Sequence, residues 1–221
     1  MIEYIDWGLI DYASAWDNQK KLFNERVAAK TPGTNPFPDV AVFCEHPHVY
    51  TLGKSGVVEN LLVSNQALID HGVSFFRTDR GGDITYHGPG QIVVYPIFDL
   101  EHFNIGLRKY IFNLEESVIR FIDGYGLKGE RLEGATGVWL DAQTPGKARK
   151  ICAIGVKSSR FITMHGLALN INTDLSYYNH INPCGFIDKG VTSLQKETGM
   201  EYSMSECREK LFQKLIEVFR N

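Results

Sequence analysis

Ile151-Cys-Ala-Ile-Gly-Val156 is a short apolar run containing three β-branched residues, the composition of a buried strand. Upstream, Gly137-Val-Trp-Leu140 has the same character, and the polar stretch from Asp141 to Arg149 joins the two as a hairpin, with Lys150 at the start of its second arm. Downstream, Phe161 to Ile171 reads as another strand and carries His165-Gly-Leu-Ala-Leu-Asn170. Strands therefore occupy the middle of the chain, and the outer segments decide what covers them.

Those outer segments supply helices and further strands. Residues 2–7 alternate apolar and polar as a first strand. Asp11 is placed to cap a helix with an apolar stripe of Ala13, Trp16, Phe23 and Val27, leaving Lys20, Lys21, Glu25 and Arg26 mostly in water. The prolines of Thr31 to Pro38 predict a surface loop. Strands are predicted at 39–44, 49–52, 73–76 and 92–98, with Pro96 arguing for an edge or a bulge, and a short helix at 64–71. Leu107, Ile111, Leu114, Val118 and Phe121 recur at helical spacing up to Gly124 and Gly126. Ser203 and Glu206 form a capping box for a last helix with Leu211, Leu215, Val218 and Phe219 on its apolar face. The expected fold is a single α+β domain over residues 1–221, a mixed sheet flanked by helices.

Composition narrows the function. With 23 Lys+Arg against 26 Asp+Glu, the net charge of -3 supplies no basic field for nucleic acid. No apolar run approaches the length of a membrane span, and no basic leader follows Met1, so a cytoplasmic, unprocessed protein is expected. The four cysteines show no C-x-x-C pairing, which suits reduced thiols. Phosphate-loop, nucleophile-elbow and H-E-x-x-H motifs are absent from the sequence.

Two regions carry candidate chemistry. Arg80-Gly-Gly-Asp-Ile-Thr-Tyr-His-Gly-Pro-Gly-Gln91 has four glycines around Thr85, Tyr86 and His87, a composition that lets backbone approach a ligand. Cys184 sits in Asn182-Pro-Cys-Gly185, where the bend keeps the thiol out of a regular element. It is the best nucleophile candidate. Cys44 and Cys152 lie in apolar strands, and Cys207 lies in a first helical turn that could add some acidity. A thiol with an ordinary pKa near 8.5 needs a basic or cationic partner, and His87, His165, His180 and Lys150 are all available. Cys44, His46 and His48 at period two raise a metal site only weakly, because no fourth ligand is evident.

Taken together, Glu45-His-Pro before Val49 to Gly53, Arg80 to Gln91, Lys150 to Gly155, His165 to Asn170, and Asn182 to Gly185 resemble the lipoyl(octanoyl) transferase family of lipoate biosynthesis. The resemblance runs from the first helix to Thr192-Ser-Leu194 and implies a fold related to biotin and lipoate protein ligases. It implies transfer of an octanoyl group from acyl carrier protein to a lysine of lipoyl domains, such as the glycine cleavage H protein and the E2 subunits of 2-oxoacid dehydrogenases. It maps the acyl-thioester nucleophile onto Cys184 and its assisting lysine onto Lys150. The substrate site it implies comprises Arg80, Gly81, Gly82, Asp83, Ile84, Thr85, Tyr86 and His87, with Ala153, Ile154, Gly155, Gly166, Leu167 and Ala168. No cofactor, metal, nucleic acid or membrane is expected, and a monomer is. Asp83, His48 and Cys152 depart from the family's pattern. An ATP-dependent ligase of the same fold is the alternative, and a silent carrier-binding scaffold is a third reading. Lys20, Lys21, Arg108 and Lys109 are candidate contacts for an acidic carrier.

Overall fold

Gly137 to Leu140 and Ile151 to Val156 are indeed two arms of one hairpin. A computed structural model describes residues 1–31, 35–182 and 189–220. In it β8 (Ala135–Leu140) runs antiparallel to β9 (Arg149–Ser159), which pairs along its other edge with β10 (Ile162–Asn170). The sheet continues through β6 (Gln91–Ile97) and β2 (Asp39–Glu45) to β1 (Ile2–Leu9), and β7 (Glu130–Leu132) closes the other side. The order is β1-β2-β6-β10-β9-β8-β7, and β11 (Gly190–Val191) pairs with β9 where β10 has run out. β1–β2 and β9–β11 are parallel and the other pairs antiparallel, so the sheet is mixed. A second sheet of three strands has the order β4 (Ser74–Arg77), β3 (Val49–Leu52), β5 (Ile84–His87).

Helices cover both faces of the large sheet. On one face α3 (Leu107–Asp123) and α5 (Met204–Phe219) bring Leu114, Val118, Leu211 and Leu215 onto Phe43, Ile92, Val94 and Leu169. On the other, α1 (Tyr12–Ala29) sets Ala15 and Phe23 against Val40, Val42, Val93 and Ala168. The short α2 (Asn65–Asp70) and α4 (Leu194–Thr198) complete the helices, capped by Ser64 and Ser193. Asp11 caps α1 by accepting from Ala13 N and Ser14 N, and Ser203 caps α5 through Glu206 N, both as the sequence predicts.

Three expectations change. The buried face of α1 is Tyr12, Ala15, Gln19, Phe23 and Arg26, rotated from the predicted stripe. Arg26 is inside because its guanidinium donates to the carbonyls of Leu22 and Pro38 at 3.0 Å each, which compensates its burial. The Gly-rich stretch is not all loop, since Ile84–His87 pairs with β3. Pro96 lies in an interior strand opposite Ala41, and the pairing of β6 with β10 stops at Val94, so the missing proline N–H breaks no ladder there.

Gly166 marks the tightest crossing of β10 over β6. A Cβ there would run into the Val94 carbonyl oxygen and come within 2.6 Å of Pro96 Cδ. Gly166→Ala is expected to destabilise the fold by about 3 kcal/mol, read as a fall in the denaturation midpoint at unchanged m-value.

Candidate active site

Alternation along β9 sends neighbouring cations to different surroundings. Arg149 is held by Glu197 at 2.6 Å and by Asp141 at 2.5 Å. Lys150 borders a cavity of about 440 Å³, with its ammonium 4.7 Å from the centre of the Trp139 ring. Two backbone features make its seat. Gly137, with φ 127°, lies against this lysine and tolerates no side chain, since a Cβ there would strike the Cys152 carbonyl oxygen while only touching Lys150 Cε at 3.5 Å. β11 then pairs Val191 with Lys150, and Thr192 N donates to the Lys150 carbonyl at 2.9 Å.

The cavity brings together segments far apart in sequence. Arg80 to Thr85 and His87 line it with Ala153 to Val156 and His165 to Ala168, and α1 contributes Tyr12. Every residue of the predicted substrate set borders the cavity except Tyr86. Tyr86 packs instead against Tyr50, Tyr177 and Tyr178 in the core under the small sheet. The loop lies flat on β9 because Gly81 N donates to the Val156 carbonyl at 2.9 Å and a Cβ on Gly155 would approach Gly81 O to 2.7 Å. Arg80 does not present its charge to the cavity centre. Its guanidinium donates to the Thr51 carbonyl at 2.7 Å, Thr51 Oγ1 at 2.9 Å, the Asp83 carbonyl at 2.8 Å and the Gly81 carbonyl at 3.0 Å. It works as the frame of the loop.

The three histidines that were candidate bases are each engaged. His87 donates from Nδ1 to Gln91 Oε1 at 2.8 Å, so Nε2 accepts from the Thr51 hydroxyl at 3.3 Å. Burial pushes its pKa down to about 3. Gln91 Nε2 in turn donates to Asn170 Oδ1 at 2.9 Å, and Asn170 donates to the Thr192 carbonyl at 3.0 Å, so a hydrogen-bonded chain links the loop to β11. His165 donates from Nε2 to Asp79 Oδ1 at 2.7 Å, and burial outweighs the carboxylate in lowering its pKa. His180 lies 3.1 Å from the Tyr50 hydroxyl.

Asp79, which the sequence gives no reason to single out, binds both His165 and, at 2.5 Å, Lys157. These partners hold its carboxyl far below the usual range. Tyr95 is a second such residue: its hydroxyl donates to His46 Nε2 at 2.7 Å while His46 Nδ1 donates to the Ile10 carbonyl. His48 turns elsewhere, bonding Tyr86 at 2.7 Å and stacking on Tyr177 at 4.2 Å. No three potential ligands among the described residues converge on a metal site. Asp83, one of the departures from the family pattern, is occupied with Asn60 and with Ile84 N.

Of the thiols, Cys44, Cys152 and Cys207 are buried, and burial raises the pKa of each. For Cys207 this replaces the acidity its place in the helix suggested. Cys184 lies outside the described residues. The chain that carries it leaves the described structure at Asn182, whose N–H donates to the Asn60 carbonyl at 2.8 Å, and returns at Lys189, just before β11 reaches Lys150.

Comparisons with known proteins agree with this architecture. Residues 11–216 match the family described as Lipoyl protein ligase A/B catalytic domain, and the chain belongs to that family. It is 57% identical over 216 residues to an octanoyltransferase of Parabacteroides distasonis, covering 98% of this chain and 97% of the relative. A Bacteroides fragilis octanoyltransferase is 55% identical over 211 residues, covering 96% and 95%. Within the family, then, this chain is an acyltransferase of the octanoyl-transferring kind. Among solved structures, a putative lipoate protein ligase from T. acidophilum superposes with a TM-score of 0.70 at 14% identity, covering 99% of this chain and 85% of that one. A biotin protein ligase from Aquifex aeolicus gives 0.53 at 11% identity, covering 99% and 68%. These establish the ligase-like fold.

The buried imidazoles make stability depend on pH. His46 and His87 have pKa values of about 4 and about 3 in the fold against 6.5 in an unfolded chain, so the unfolded state takes up protons first as pH falls. Stability is expected to be full above pH 6.5 and to decline steadily from there toward pH 4, followed as the thermal midpoint against pH. His87→Gln should flatten that slope.

Proposed function

We propose that this chain transfers an octanoyl group from octanoyl-acyl carrier protein to the lysine of lipoyl domains through a thioester on Cys184, with Lys150 assisting. The observation that carries the reading is Lys150 itself, a cation at the border of a cavity shared by the Gly-rich loop, β9 and β10. It is supported by the three described thiols being buried with raised pKa values, and by relatives named octanoyltransferases. For the acceptor, support comes from a solved relative of the same fold that is described with its E2 lipoyl domain.

The chemistry follows from bond types. Cys184 Sγ, as thiolate, attacks the carrier's thioester carbonyl; the carrier thiol leaves and takes a proton, and one thioester replaces another at little net cost. The lysine amine of the lipoyl domain then attacks the Cys184 thioester, forming an amide and returning the thiol, a downhill step that requires no nucleotide. A cation within about 4–6 Å would lower a thiol pKa by one to three units, each worth about 1.4 kcal/mol. An amine there can also accept the thiol proton and pass it to the leaving group. Tetrahedral intermediates need oxyanion donors, for which the backbone amides of the Gly-rich loop and the Gly166 region are candidates. Ala153, Gly155, Gly166 and Ala168 with Ile154 and Leu167 form an apolar wall, against which each methylene gains about 0.8 kcal/mol.

In a steady-state transfer assay, Cys184→Ser is expected to abolish acyl transfer, and Lys150→Ala to lower kcat by about two orders of magnitude, in the range of general acid–base loss. The thermal midpoint of Lys150→Ala should stay close to that of the parent chain. Unchanged rates in Lys150→Ala across pH 6 to 9 would contradict the assisting role. Release of pyrophosphate during turnover would point to the ATP-dependent ligase reading.

A further inference from the structure

The cavity border follows β9 from Lys150, paired with Val191, at one end to Val156, paired with His165, at the other, and the stacked rings of Tyr12 and His87 line it as well. Lys150 and Val156, the strand partner of His165, are six residues apart along β9, about 20 Å at about 3.4 Å per residue. That span bounds the straight chain the cavity can hold, and a side chain standing at either end shortens it.

The far end is polar but turned away from the cavity. His87 is bonded through both ring nitrogens, His165 is bonded to Asp79, and the Arg80 guanidinium is spread over Thr51, Gly81 and Asp83. Displacing any of these would leave a buried donor or acceptor without its partner, so this wall is stiff. Tyr12 differs. Its ring is buried, stacked on His87 with centroids 6.0 Å apart and planes 12° apart, and packed on His46 and Phe76 at 5.3 Å each. Its hydroxyl makes no hydrogen bond among the described residues. Unlike these three polar residues it can change size without orphaning a partner among the described residues, and it stands on α1, outside the Gly-rich loop and the β9 and β10 segments that line the cavity.

We propose that the Tyr12 ring is the stop that sets the length of straight-chain acyl group this cavity accepts, with His87 and His165 as its rigid backing. The proposal rests on the reading that the acyl carbonyl lies at the Lys150 end and the methyl end points toward Tyr12. Shape and not hydrogen bonding is the cause, because the hydroxyl has no partner among the described residues to lose.

The test uses the full chain and acyl carrier protein loaded with six-, eight-, ten- or twelve-carbon chains, each followed by intact mass of the acylated product. The parent chain should work fastest with eight carbons. In Tyr12→Ala and Tyr12→Val the ratio of ten-carbon to eight-carbon rate should rise by about tenfold, the effect of accommodating two more methylenes. Tyr12→Phe should keep the parent ratio, and Tyr12→Trp should move the optimum to six carbons. Because each result is a ratio within one variant, partial loss of folded protein cancels. An unchanged ratio in Tyr12→Ala, Tyr12→Val and Tyr12→Trp would overturn the proposal, as would a shifted ratio in Tyr12→Phe. Failure of the parent chain to transfer any of the four would instead overturn the octanoyl-transfer reading beneath it.

Discussion

The close crossing of the Gly-rich loop over β9 is the constraint on which the rest of the structure depends. Gly81 N donates to the Val156 carbonyl, and Gly155 has no side chain because the Gly81 carbonyl takes that space. A loop held this near a strand leaves a slot whose walls are largely backbone and small side chains. Lys150 and Tyr12 both border that slot. Arg80 makes the crossing permanent, since its guanidinium joins β3, through Thr51, to the loop's own carbonyls. An arginine in a glycine-rich loop would ordinarily suggest a ligand anion, yet the hydrogen bonds found here run to protein oxygens.

Division of labour follows from that geometry. The Gly-rich stretch invites assignment as the reacting centre because of its histidine, but His87 is buried, neutral and bonded at both nitrogens, a poor general base near pH 7. The same burial makes it a good wall. Lys150 lies instead where β8, β9 and β11 meet, with Trp139 of β8 under its ammonium, Gly137 of β8 beside its stem and β11 along its backbone. The chain Gln91, Asn170, Thr192 connects the wall to this seat, so loop and lysine are parts of one hydrogen-bonded assembly.

Much of this was legible in the sequence, for identifiable reasons. α3 is marked by apolar residues at helical spacing, α1 and α5 by side chains that cap their first amides, and the β8–β9 hairpin by two apolar runs around a polar turn. Lys150 at the start of β9 follows from that hairpin alone. What was not legible depends on partners distant in the chain. Arg26 reads as a wet residue until the carbonyl of Pro38 folds over it. Asp79 is one acid among many until Lys157 and His165, some eighty residues later, converge on it. Tyr12 belongs to a helix stripe until its ring is found stacked on His87. The strand Ile84–His87 is short and lies among glycines, and only its pairing with β3 reveals it.

In the proposed reaction one thiol of the four, that of Cys184, carries the acyl group. Brief incubation with octanoyl-acyl carrier protein, followed by acid quench, proteolysis and mass mapping, tests it most directly. The octanoyl mass should appear on the peptide containing Cys184, be removed by neutral hydroxylamine as a thioester is, and disappear on adding a lipoyl domain. An octanoyl group found on Cys44, Cys152 or Cys207, or one that survives addition of the lipoyl domain, would contradict it.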